Sequence, residues 1–232
     1  MKQHEILQTL QTNSWFNELP AAIRLRLMEN ATRVPFTHKE IIHWQNDDDN
    51  CALYCVLSGA IKVSSCSWAG KEAVLAYLSP GNWFGEIAML DGLHRTHTIQ
   101  AHQDSFLLKV LKSDIMEIIA EYPKFYEHLI KLLCEKIRLL MMVIEETTLQ
   151  PLPIRLAGRL LMLADSFGVD TPQGVEISIH LPQEELGQML GTSRQSTNKL
   201  LKKFQQQGLI ETKYRHVILK DLTRIKAMVQ DS

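Results

Sequence analysis

The spacing of apolar and polar positions changes character several times along this chain. Residues 5–31 set Ile6, Leu7, Leu10, Leu19, Ile23 and Leu27 at near-helical intervals, which predicts helix. From 33 to 111 the pattern breaks into short runs: EIIHW, ALYCVL, AIKVSS, EAVLAYL, THTIQA and SFLLKVL. Turn-formers at 47–50, 58–59, 69–70, 79–81 and 102–104 separate them. Many short strands with turn signals between them predict an all-β sandwich or barrel. Residues 113–148 return to helical spacing, with Ser113 as the expected cap and Pro123 expected to break the helix into a short and a long part. In the long part Ile130, Leu133, Ile137, Leu140 and Ile144 alternate steps of three and four, the pattern of a coiled-coil seam. The other flank, with Leu132, Leu139, Met142 and Val143, is apolar too. A helix apolar on two faces needs two covers, of which one can be the β domain and the other a second subunit; an ordinary core helix packed on the β domain is the plain alternative. Gln150, Pro151, Leu152 and Pro153 then read as a stiff hinge, followed by a helix over 154–168.

Residues 181–210, LPQEELGQMLGTSRQSTNKLLKKFQQQGLI, carry the most specific pattern. Pro182, Glu184 and Glu185 suit a helix start, and Leu186, Met189 and Leu190 give it one apolar face. Gly191 breaks it, and Thr192 and Ser193 are positioned to cap a second helix. That helix turns Leu200, Leu201 and Phe204 inward and leaves Arg194, Gln195, Ser196, Asn198, Lys199, Lys202 and Lys203 outward. A polar, basic helix held against a small apolar one is what reading a DNA major groove requires. A helical hairpin with a merely solvated face is the plain alternative. After Gly208, LIETKYRHVILKDL reads as two β-type runs around a polar turn at 213–215, which suits a wing.

Charge sharpens this. Residues 181–220 hold seven Lys and Arg against three Glu, a surplus of +4 in a chain whose net charge is −1. A locally basic module on a near-neutral chain is an electrostatic footprint for phosphate. The 232 residues leave room for two modest domains, and 45% hydrophobic with 22% charged residues is ordinary for a globular protein. No apolar run reaches membrane-spanning length, and the polar start MKQHEILQTLQ lacks a signal-peptide core, so a cytoplasmic, non-membrane protein is expected. Cys51, Cys55, Cys66 and Cys134 form no CxxC pair and are expected as free thiols; Cys51 and Cys55 share a strand face that Cys66 could join.

The order of parts, a β-roll, a long helix, a short hinge and a winged helix-turn-helix, resembles the cyclic-AMP receptor protein/FNR (CRP/FNR) family of bacterial transcription regulators. Two motifs carry the resemblance: PGNWFGEIAMLDGLHRTHTIQA (80–101), similar to the family's phosphate-binding cassette, and EELGQMLGTSRQSTNKLLKKFQQQGLI, similar to its helix-turn-helix. It implies an α+β chain. The expected parts are a cyclic-nucleotide-binding-like β-roll (jelly roll) over 1–112, a dimerisation helix over 113–149 and a winged helix-turn-helix over 150–232. The implied effector site is Gly85, Glu86, Ile87, Ala88, Arg95 and Thr96, with Leu140 and Met141 from the long helix. Arg95 would fork onto phosphate and Glu86 accept from a ribose hydroxyl. The implied DNA contacts are Thr192, Ser193, Arg194, Gln195, Ser196, Asn198, Lys199 and Lys202. The implied partners are a second copy, double-stranded DNA with an inverted repeat, and RNA polymerase. No cofactor is certain; a cyclic nucleotide, cyclic AMP or another, is the expected effector.

The sequence departs from the family's cyclic-AMP pattern in two places. His97 stands where a small residue is usual, and the apolar pair Leu140 and Met141 stands where a polar pair reads adenine. An effector-independent or haem- or redox-responsive regulator with a vestigial pocket therefore stays open beside the nucleotide reading. His94, His97 and His102 lie close in sequence, but surface histidines are more often solvated than ligating, so no metal is expected. No cysteine precedes Cys51, so the N-terminal iron–sulfur ligand set of FNR-type members is missing. No P-loop, nucleophile elbow or HExxH occurs, which argues against an enzyme.

Overall fold

The computed structural model describes residues 3–48, 51–213 and 216–230. The chain divides into two compact units, residues 1–66 with 77–139, and residues 67–76 with 140–232.

The first unit opens with three helices, α1 (Gln3–Leu10), α2 (Ser14–Glu18) and α3 (Ala21–Asn30). The single helical stretch expected over 5–31 is thus interrupted twice, once where Asn13 accepts from the Phe16 N–H and caps α2, and once at Pro20. Eight strands follow: β1 (Thr32–Phe36), β2 (Ile41–His43), β3 (Ala52–Ser58), β4 (Ile61–Cys66), β5 (Glu72–Leu78), β6 (Trp83–Phe84), β7 (Thr98–Ala101) and β8 (Ser105–Leu111). The helix α4 (Glu86–Asp91) lies between β6 and β7. The strands make two four-stranded sheets, ordered β1-β8-β3-β6 and β2-β7-β4-β5. The expected turns at 58–59, 69–70 and 79–81 each contain a glycine with positive φ. In the turn at 47–50, residues 49 and 50 lie outside the described residues.

β3 shows why one strand of the roll reads as an unbroken apolar run. Ala52, Tyr54 and Val56 point into a core shared with Ile61, Ile99 and Ala101 of the second sheet. Leu53, Cys55 and Leu57 point the other way, into a core built with Leu10, Trp15, Phe16, Ile23 and Leu27 of the helices. Period-two alternation with both faces buried leaves no polar position. Trp15, Phe16 and Trp83 pack together, with Trp83 stacked on Phe16 at 5.9 Å.

The helical stretch after β8 is two helices, α5 (Lys112–Glu121) and α6 (Phe125–Leu149), separated at Pro123 as expected. Ser113 is not the cap: the helix starts one residue earlier, Leu111 holds the N-cap position, and no side chain caps it. On α6, Phe125, Leu129 and Leu132 are buried in the helix-side core.

In the second unit α7 (Leu152–Phe167) starts two residues earlier than expected, with Pro151 as N-cap and Pro153 inside the first turn. The predicted four-residue hinge therefore shrinks to Gln150 and Pro151. Proline fits there because the first helical N–H groups have no intrahelical partner. Next come β9 (Gly168–Thr171), β10 (Gly174–Ile177), α8 (Gln183–Met189), α9 (Arg194–Gln206), β11 (Ile210–Lys213), β12 (His216–Leu219) and α10 (Leu222–Gln230). Strands β9 and β10 are a finding beyond the sequence reading. They complete a sheet ordered β11-β12-β10-β9. The β11–β12 hairpin is the expected wing; Tyr214 and Arg215 of its turn lie outside the described residues.

Candidate nucleic-acid interface and effector pocket

α8 and α9 form the helix-turn-helix. Leu186 and Leu190 are buried, while Met189 is only half-buried. Gly191 takes φ 64° after the last turn of α8, a conformation that favours glycine. The cap of α9 is Ser193, whose hydroxyl accepts from the Ser196 N–H at 3.1 Å; Thr192 precedes the cap. Thr197, Leu200, Leu201 and Phe204 form the buried face of α9. Gly187 is what lets the two helices close: a Cβ there would stand 3.0 Å from both the Thr192 carbonyl and the Thr197 hydroxyl.

The outward face holds Arg194, Gln195, Lys199, Lys202 and Lys203, all exposed. Ser196 and Asn198 differ from the expectation: both are half-buried, and Asn198 donates to the Gln183 side chain at 2.7 Å. A cleft of about 540 Å³ lies along this face, lined by Gln183, Arg194, Gln195, Asn198, Lys199 and Lys202. Arg194 and Gln183 also line a second cleft of about 430 Å³ that reaches the wing at Thr212 and His216. The contribution of Gln183, His216 and Thr212 was not foreseen; only the position of Gln183, at the start of α8, could have suggested it.

α7 braces this module. The Arg155 guanidinium donates to the Leu190 carbonyl at the end of α8. One turn on, buried Arg159 lies 3.9 Å from Glu146. Burial pulls the Arg159 pKa below its ordinary value, Glu146 raises it and the neighbouring Arg155 lowers it further.

In the first unit the cassette sets Gly85 against Arg95. Gly85 has φ 96° and a Cβ there would stand 2.4 Å from the Ala52 carbonyl and 3.4 Å from the Arg95 guanidinium, so only glycine fits beside the arginine. Arg95 and Glu86 are both buried, at 2% and 1% exposure. Ala88 is buried, whereas Ile87 is 36% exposed. Thr96 is exposed and its hydroxyl pairs with the His97 imidazole at 2.8 Å. The ion pair between Glu86 and Lys136 of α6, at 2.6 Å, was not anticipated. No local signal pairs them, since the two residues stand fifty positions apart. Burial pulls the His97 pKa below its usual range, partly offset by the Glu86 carboxylate.

Residues 154–228 match the Crp-like helix-turn-helix domain family, and residues 33–122 match the cyclic nucleotide-binding domain family. A CRP-like cAMP-activated global transcriptional regulator of Mycobacterium tuberculosis is 28% identical over 173 residues, 75% of this chain and 77% of that protein. The cyclic AMP receptor protein of Thermus thermophilus is 28% identical over 159 residues, 68% of this chain and 70% of that protein. A CooA mutant structure from Carboxydothermus hydrogenoformans superimposes with a TM-score of 0.70 at 27% identity, over 99% of this chain and 97% of that one. The chain belongs to the CRP/FNR family of transcription regulators.

This CRP/FNR regulator is thus a DNA-binding, non-enzymatic protein with a cyclic-nucleotide-binding domain. Its long helix α6 leaves an apolar face bare on the single chain: Ile130, Ile137, Leu140 and Ile144 are each at least half exposed, and Leu133 is half-buried. The second flank is covered less than expected. Leu132 is buried, but Leu139 and Met142 are 44% exposed and Val143 is half-buried. Leu140 and Met141 belong to the second unit and are 57% and 55% exposed.

His94, His97 and His102 do not converge. His94 lies 3.8 Å from Asp48, His97 pairs with Thr96, and His102 is buried against the Tyr77 ring. Among the described residues no group of three His, Cys, Asp or Glu is arranged to hold a metal ion. Cys51 and Cys55 do face one core, but Cys66 is exposed at the end of β4, in the other sheet, and does not join them. No helix among the described residues is long and apolar enough to cross a membrane.

Proposed function

We propose that this protein is a cytoplasmic homodimeric regulator in which residues 1–112 sense, 113–149 dimerise and 150–232 bind an inverted-repeat operator. The observation that carries the reading is α9: capped by Ser193, anchored by Leu200, Leu201 and Phe204, and bare at Arg194, Gln195, Lys199, Lys202 and Lys203. Thr192, Ser193, Ser196 and Asn198 fix and flank that face. Arg194 reads a guanine, since a guanidinium fork matches its two major-groove acceptors. The uncovered Ile130, Leu133, Ile137, Leu140 and Ile144 face supports a parallel dimer through α6, and RNA polymerase is the expected further partner of the bound dimer. Binding of the full chain to duplex DNA should weaken steeply with salt. Salt-independent binding, or none, would count against DNA as the partner.

The effector is a cyclic nucleotide or a related phosphate-bearing molecule, held by Gly85, Glu86, Ile87, Ala88, Arg95 and Thr96. Arg95, a buried guanidinium packed against Gly85, supports this, as do the cAMP-named relatives. Lys136 on Glu86 favours a second reading, an effector-independent regulator, because the ribose acceptor already carries a cation on one oxygen. Thermal shift with cyclic AMP, cyclic GMP and cyclic dinucleotides separates the two. Wild type should shift with at least one and Arg95→Leu with none; no shift in wild type leaves the effector-independent reading. A visible absorbance spectrum tests the haem alternative.

A further inference from the structure

The side-chain bond between Gln183 and Asn198 crosses from the start of α8 to the middle of α9. Asn is a poor residue for a helix interior, where its amide competes with the backbone. Here the amide is tied to another helix instead. Both residues are half-buried, yet both line the cleft that Arg194, Gln195, Lys199 and Lys202 share. The bond uses one N–H of Asn198 and the Gln183 carbonyl oxygen. It leaves the Gln183 amide N–H groups as donors and the Asn198 carbonyl as an acceptor. If both amides were turned over, the remainder would still be one donor group and one acceptor, with the residues exchanged.

We propose that Gln183 and Asn198 act as one composite base reader, selecting an A·T pair beside the guanine read by Arg194. This rests on the reading that α9 enters the major groove. Adenine offers an acceptor and a donor on its major-groove edge, which a donor and acceptor pair satisfies together. Guanine offers two acceptors, and one would face the amide carbonyl. Cytosine offers only a donor and thymine only an acceptor. The mutual bond also fixes both side chains before DNA arrives, so less rotamer freedom is lost on binding than for two loose amides. Asn198 follows Arg194 by four residues, about 6 Å along the helix, which is less than two base steps of about 3.4 Å. The A·T pair therefore falls one or two pairs from the guanine.

The test is enrichment of bound sequences from a random duplex pool by the full-length protein. The variants are Gln183→Ala, Asn198→Ala, the double alanine variant, and the exchange Gln183→Asn with Asn198→Gln. Wild type should enrich adenine at one column within two pairs of the guanine. Either alanine substitution should erase that same column and leave the guanine. Preference for A·T over G·C there should fall from roughly tenfold or more to about twofold or less. The double variant should be no worse than the singles, and the exchange variant, which keeps the bridge, should keep the column. Singles that alter different columns, or an exchange variant that loses the column while melting like wild type, overturn the proposal. So does a loss spread over every column and over random DNA alike, which would make the bond a prop for α9. A wild type that enriches a motif with no adenine column overturns the composite reader alone. A wild type that enriches nothing and ignores salt overturns the DNA reading beneath it.

Discussion

At the residue scale, Arg194 and Lys136 mark what local sequence shows and what it hides. Arg194 stands at the exposed start of a capped basic helix, and the cap, the apolar steps and the charge are all neighbours in sequence. Arg194→Ala should cost about 1–3 kcal/mol on the best operator and relax one base position, read by competition binding. Equal losses on specific and random DNA would reduce it to a phosphate contact. Lys136, fifty residues from Glu86, meets it only through the fold, so no spacing rule could pair them. Lys136→Met strands a buried carboxylate and should lower stability by about 1–3 kcal/mol, less than for a fully buried pair because Lys136 is 37% exposed. It should also enlarge the thermal shift produced by a ribose-bearing ligand, since Glu86 is then unoccupied. His97 adds a pH dependence. Its folded pKa lies below the unfolded value near 6.5, so the unfolded chain binds the proton first as pH falls. Its contribution is full above about 6.5 and is lost below it. Urea midpoints at pH 7.5 and 5.5 should converge for His97→Asn relative to wild type.

At the element scale, α6 was legible in outline because its apolar steps repeat over many turns. The end positions were not: Leu111 rather than Ser113 takes the N-cap of α5, and Pro153 sits inside α7. Terminal N–H groups tolerate both choices, so the composition of a helix end constrains it weakly. The β9–β10 hairpin escaped notice because GVDT and GVEI are short and carry charges. β10 is held by pairing with β12, and β9 by pairing with β10, rather than by a pattern of their own. Replacing Ile137 by Asp would put a charge at the proposed α6 seam of both subunits. Sedimentation should then show monomer; an unchanged dimer would move the interface off this face.

At the scale of the whole molecule, a two-fold dimer demands operator half-sites about one helical turn, ~34 Å, apart. Effector and operator affinities would be tied by one reciprocal coupling energy, whichever site is titrated first. The family order of parts was readable from sequence because each part has its own period, whereas pocket occupancy was not, because Glu86, Arg95 and Lys136 come from separate elements.

The bare face of α6 carries one more consequence. A chain that leaves Ile130, Ile137, Leu140 and Ile144 in water is stabilised by mass action when a second copy covers them. Its melting temperature should therefore rise with protein concentration across the dissociation range, and Ile137→Asp should remove that dependence. With such a dimer, dilution would become a signal in its own right: a cell that made little of this regulator would weaken each molecule of it as well as thin their number.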